Sequence, residues 1–147
     1  MEITQIERCH KQTDDLIATE GADFLSSPIH FLKEHDQEFL YMESPLVEEL
    51  KMDAVVFEYD EMFDAYTALF GLRLQKKYAT AIKEYLHTHL RSIFGAFSAS
   101  FSGNEGLWEI NIALTAIEGF KEDGTLLEAL TLLEKFVRAL INEVTAN

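Results

Sequence analysis

The stretch MDAVVFEYDEMFDAYTALFGL, residues 52–72, can be read in part as strand or throughout as helix, and the fold class rests on the choice. Ala54-Val55-Val56-Phe57-Glu58-Tyr59 is β-branched and aromatic, the composition of a strand. Val55, Tyr59, Met62, Phe63, Tyr66 and Phe70 also fall on one helical stripe, and a lone strand would leave its backbone N–H and C=O groups unpaired. The stripe therefore predicts a helix over about 45–70, broken near Met52.

Outward from that segment, apolar spacings of three and four predict further helices at about 2–20, 28–42, 73–102, 105–120 and 125–145. Ser27-Pro28 and Ser44-Pro45 each offer a hydroxyl at an N-cap and a proline at the first helical position, where no N–H is needed. Thr125-Leu126-Leu127-Glu128 matches the capping box, in which cap and fourth residue satisfy each other's backbone donors. In FGAFSASFSGNEGLW, residues 94–108, Gly103 fits a left-handed helix C-cap and Asn104 the N-cap of the helix that follows. That stretch has neither the P-loop nor the G-x-G-x-x-G spacing, so it is not a phosphate cradle. With short connections and no internal repeat, residues 1–147 are expected to form an all-α, single-domain bundle of five or six mostly antiparallel helices.

A chain of 147 residues with a formal charge of −14 is a poor ligand for nucleic acid, which binds through Lys and Arg. A basic protein is the better electrostatic match, although acidity also serves solubility alone. The single Cys9 excludes an intrachain disulfide and suits a reducing compartment, so the expected location is cytoplasmic. The N-terminus lacks the apolar core of a signal peptide, and no apolar run reaches the roughly 18–20 residues of a membrane span.

Sites of chemistry are sparse. Glu7/His10 and Glu84/His87 have the Glu-x-x-His spacing of di-iron bundles, but Glu84 and His87 fall away from the apolar side of their helix. His10, His35 and His89 lie on apolar stripes of three different helices; if they converged they could bind zinc or another transition metal, and otherwise each is a partly buried imidazole with a local partner. No catalytic set is legible and no cofactor is expected.

Charge is distributed unevenly. Residues 43–64 hold eight acids against Lys51, and residues 73–91 hold five bases against Glu84, which suggests consecutive antiparallel helices with complementary faces. On the expected helix, Phe57, Asp60, Glu61 and Asp64 share the side away from the stripe, an exposed aromatic in an acidic field that suits a protein partner. In the helix expected over 105–120, Trp108 and Ile112 point away from Ile110, Ala113, Ile117 and Phe120. Either that helix is central in the bundle, or Trp108 and Ile112 meet a second copy across a two-fold axis to form a homodimer. The expected function is binding to another protein, as an adaptor, inhibitor or immunity-like neutraliser of a basic partner. The alternative is a metal- or cofactor-binding protein built on the three histidines.

Overall fold

Residues 52–72 form a β-hairpin and not a helix. The computed structural model, which describes residues 3–45 and 49–146, pairs Met52–Asp60 with Ala65–Leu72 antiparallel, Phe57 opposite Ala68 and Tyr59 opposite Tyr66. A step of four keeps side chains together on a helix and also on one face of a strand, so Val55/Tyr59 and Tyr66/Phe70 do not discriminate. The residues midway do: Phe57 and Ala68, apolar and wholly buried, fit period two alone. The tip is a true turn. The Asp60 carboxylate accepts hydrogen bonds from the backbone N–H of Met62 (2.9 Å) and Phe63 (3.2 Å), and Asp64 takes a left-handed φ of 48°.

The described elements are β1 (Gln5–His10), β2 (Leu16–Glu20), α1 (Phe31–Glu34), β3 (Glu38–Glu43), β4 (Met52–Asp60), β5 (Ala65–Leu72), α2 (Ala79–His89), β6 (Phe97–Ser102), β7 (Leu107–Ala113) and α3 (Leu126–Val144). Short 3-10 turns occupy Ala22–Ser26, Lys76–Tyr78 and Leu114–Ala116. The strands form one antiparallel sheet in the order β2-β1-β3-β4-β5-β7-β6, so every backbone ladder that a lone strand would have lacked is supplied by a neighbour.

Strand alternation divides the sheet into two unlike faces. Ile6, Leu40, Met42, Val55, Phe57, Phe70, Ile110 and Ile112 are buried in one core cluster with the apolar side of α3 (Leu126, Leu130, Leu133, Val137, Leu140, Val144) and with Ile82, Tyr85 and Leu86 of α2. Tyr85 and Phe136 lock the two helices edge to face, ring centroids 5.5 Å apart. On the opposite face Tyr41, Val56, Glu58, Leu69 and Asn111 are half-exposed and stand outside that cluster. It is a two-layer fold in which the described helices cover one face of the sheet.

The all-α expectation is thus corrected. The segment expected as a helix over 2–20 is the β1–β2 hairpin, 28–42 holds the four-residue α1 and then runs into β3, the helix expected over 73–102 is α2 ending at His89 followed by β6, and 105–120 is β7 with the turn after it. Ser27 is not a helix cap: its backbone is extended, and Pro28 bridges to Thr125 before α1 begins at Phe31. The helix expected from Ser44-Pro45 runs onto residues 46–48, which lie outside the described residues. The capping box at Thr125 and Glu128 forms in both directions, with Glu128 N–H to Thr125 Oγ1 at 3.1 Å and Thr125 N–H to Glu128 Oε1 at 3.1 Å. Leu126, Leu130, Leu133, Val137, Leu140 and Val144 of α3 are all buried, in the same core cluster as the sheet.

Two substitutions measure this arrangement. Phe57→Ala should cost about 3–5 kcal/mol in urea denaturation, as for a fully buried aromatic, and Thr125→Ala about 1 kcal/mol for the lost cap. A Phe57→Ala loss below about 1 kcal/mol would contradict its place at the centre of the sheet.

Candidate functional site

The acids singled out in the sequence do gather, at the tip of the β4–β5 hairpin. Asp60 closes the turn, Glu61 is exposed, and Asp64 lies 3.7 Å from Lys33 Nζ of α1. Asp64 also accepts the O–H of Tyr59. That bond, with burial adding to it, pushes the Tyr59 phenol up to about 12, and it holds the Asp64 carboxyl below its usual range, with Lys33 contributing. On the other face of β4, Glu58 is raised by burial, an effect that Lys11 opposes and Asp60 reinforces.

Phe57 does not belong to this group. A helix would set it beside Asp60, Glu61 and Asp64; a strand sends it into the core, where its exposure is 0%. The exposed apolar residues at the tip are Met62 (85%) and Phe63 (37%), joined from the α2–β6 loop by Phe94 (88%). The Phe63 and Phe94 rings lie 5.3 Å apart, and Gly95, at φ +76°, presses its backbone against Phe63. A side chain at Gly95 would meet the Phe63 ring at 3.0 Å, so the glycine sets how closely the loop carrying Phe94 can approach. The local signal for this in the sequence is a hydrophobic pair, Met62-Phe63, inside an acidic turn.

Trp108 and Ile112 are buried to 2% and 0% on the core side of β7, so neither meets a second copy. The Trp108 indole N–H donates to the Gln75 carbonyl at 3.3 Å, and its ring meets Phe101 edge to face. The three histidines are likewise local. His35 Nδ1 bonds the Phe31 carbonyl and His89 Nδ1 the Tyr85 carbonyl, each at 3.0 Å, each ring stacked 4.0 Å from the aromatic four residues before it. His10 Nδ1 accepts from the Gln12 N–H at 3.2 Å. No group of three His, Cys, Asp or Glu side chains among the described residues could hold a metal ion, so the three do not converge. Burial raises the Cys9 thiol, away from nucleophilic use. Among the described residues no helix is long and apolar enough to cross a membrane.

Depressions elsewhere are chemically quiet. One of about 590 Å³ lies between Tyr41, Glu43, Asp53 and Arg73, whose polar groups already engage each other: Tyr41 O–H to Glu43 at 3.0 Å and Arg73 to Asp53 at 2.5 Å. That second contact is the one ion pair found between the acidic 43–64 and basic 73–91 segments among the described residues, and it joins strand to loop.

The Tyr59–Asp64 bond sets a pH dependence. A phenol whose folded pKa is raised contributes stability fully below its ordinary value near 10 and loses it as pH climbs to about 12. The lowered Asp64 carboxyl contributes above its usual range and loses that contribution as pH falls through the folded value. Tyr59→Phe should therefore be less stable than the parent at neutral pH in urea denaturation, with the gap closing at both extremes. A gap independent of pH would show that the bond is not formed. Neither a family model, nor a curated protein, nor a solved structure matches the chain.

Proposed function

We propose that the protein works by binding another protein through the β4–β5 tip, and that this partner offers basic and apolar groups together. The observation that carries the reading is the exposed cluster of Met62, Phe63 and Phe94 bordered by Asp60, Glu61 and Asp64. Large apolar side chains exposed as a contiguous group mark interaction surfaces, whereas single ones are ordinary. Aromatic anchors within a charged rim are the usual anatomy of a binding hot spot.

The acids add rate and selectivity. Exposed carboxylates steer a basic partner toward the tip over roughly 8 Å at physiological ionic strength and repel acidic competitors. Asp64 is held by Tyr59 and Lys33, and Asp60 by the backbone N–H groups of the turn, which leaves Glu61 as the acid that can be reversed without disturbing the tip. Function as an adaptor, inhibitor or neutraliser fits such a surface equally well, since all three need only a stable complex.

The test uses three baits on one host lysate: the parent, Met62→Ser/Phe94→Ser, and Glu61→Lys. Proteins held by the parent should be lost from the first variant, each truncation of an exposed apolar side chain weakening binding roughly 30-fold, equivalent to about 2 kcal/mol. The charge-reversed bait should bind the same proteins more slowly, with a weaker dependence on salt. Retention of the same proteins by all three baits would remove the tip as the binding site.

A further inference from the structure

We infer that β6 is the seam of a homodimer, two copies pairing antiparallel edge to edge about a two-fold axis through Ala99. β6 closes the sheet on one side, paired among the described residues only with β7. Its free backbone groups can be assigned. Ala113 N–H donates to the Ala96 carbonyl at 2.8 Å, and the register runs on through Phe97↔Ile112 to Ser102↔Leu107. In an antiparallel ladder only alternate pairs exchange hydrogen bonds. Residues 96, 98, 100 and 102 therefore turn their backbones toward β7, and the Ser102 carbonyl accepts from Gly106 at 2.8 Å within the hairpin. Phe97, Ala99 and Phe101 turn theirs outward.

The sequence of this edge is a palindrome, Phe97-Ser98-Ala99-Ser100-Phe101. About Ala99, each Phe97 would face Phe101 of the second copy, and each Ser98 would face its Ser100. The two Ala99 residues would face one another across the axis as a hydrogen-bonded pair. Three outward residues on each side supply about six backbone hydrogen bonds in this register. Phe97, Ala99 and Phe101 are half-buried on the core side, so the pairing would cover apolar surface that α2 and α3 leave exposed.

Charge selects a second copy over a basic strand from elsewhere. No residue between Arg91 and Glu105 is charged, in a chain of net charge −14. A lysine-rich strand would find no carboxylate on β6 to pair with, whereas a second acidic chain meets an edge where like charges do not oppose. The strand also lacks the Lys, Pro or bulge with which exposed edges are ordinarily protected from pairing.

Ser98 and Ser100 are exposed and face each other across the axis in a pair without hydrogen bonds, the closer of the two pair types, which makes the register testable. In sedimentation equilibrium the parent should have about twice the 16.8 kDa chain mass. Ser98→Glu/Ser100→Glu sets acid against acid and should give a folded monomer by circular dichroism. Ser98→Lys/Ser100→Glu sets lysine against glutamate at both pairs and should remain a dimer. Ala99→Pro removes an outward N–H at the axis while leaving the β7 ladder intact, and should also be monomeric. A monomeric parent overturns the proposal and leaves the edge open to a strand of another protein. A dimeric Ser98→Glu/Ser100→Glu variant overturns it too, placing any dimer elsewhere.

Discussion

The register of the β4–β5 hairpin fixes the rest of the molecule. Phe57 lies between Leu40 and Ala68 in the middle of the sheet, and a slip of one residue would send it, with Val55 and Tyr59, to the uncovered face. The turn prevents that slip. Two backbone donors bound to Asp60 and a left-handed Asp64 set the loop length, and Tyr59 reaches across the turn to Asp64. The bonds that hold the core in register are thus the ones that lift Met62 and Phe63 out of it. The exposed tip is the other end of the same constraint.

Covering one face of the sheet and not the other distributes the chain's apolar content unequally. α3 spans the core face with one apolar stripe, and α1 and the 3-10 turn before it cover the β1–β4 side, where Arg8 is held by Glu20 and Glu38 beneath the Phe31 ring. Bidentate contact with Glu38 raises the Arg8 guanidinium further, so this half-buried cation is compensated at both ends. On the uncovered face the strands alternate toward Glu7, Glu58, Glu109, Ser98 and Ser100, which water can solvate. An antiparallel sheet tolerates that arrangement because its ladders need no second layer.

What could be read from the sequence was chemistry contained within one turn of chain. The Thr125–Glu128 capping box needs only four residues, and both of its bonds form. The acids at 60, 61 and 64 were identifiable because three charges within five positions share a location in any secondary structure. Phe57 was misplaced since its partner residues depended on the period assumed: a helix puts it with Asp60 and Asp64, a strand with Val55 and Tyr59. The left-handed glycine of the β6–β7 turn is Gly106 and not Gly103, because a hairpin and a helix C-cap require that conformation at different steps. His35 and His89 looked alike on their stripes for a local reason. Each stacks on, and bonds to, the aromatic residue four positions earlier, a contact a helix supplies without any tertiary site. Sheet partners, in contrast, come from residues up to dozens of positions away, and no local pattern names them.

The uncharged run from Ser92 to Asn104 connects the two proposed surfaces, since Phe94 belongs to the tip and Phe97 to Phe101 form the edge. Salt acts on them with opposite sign. Attraction between the tip's carboxylates and a basic partner is screened as ionic strength rises, so that contact weakens. Two copies of a chain of charge −14 repel through everything except the edge itself, so the same screening strengthens their pairing. Backbone hydrogen bonds and apolar burial along β6 are little affected by salt and set the floor of that association. An acidic protein can in this way keep its copies apart by default, confine self-association to a strand free of charge, and still draw in a partner of the opposite sign a few residues away.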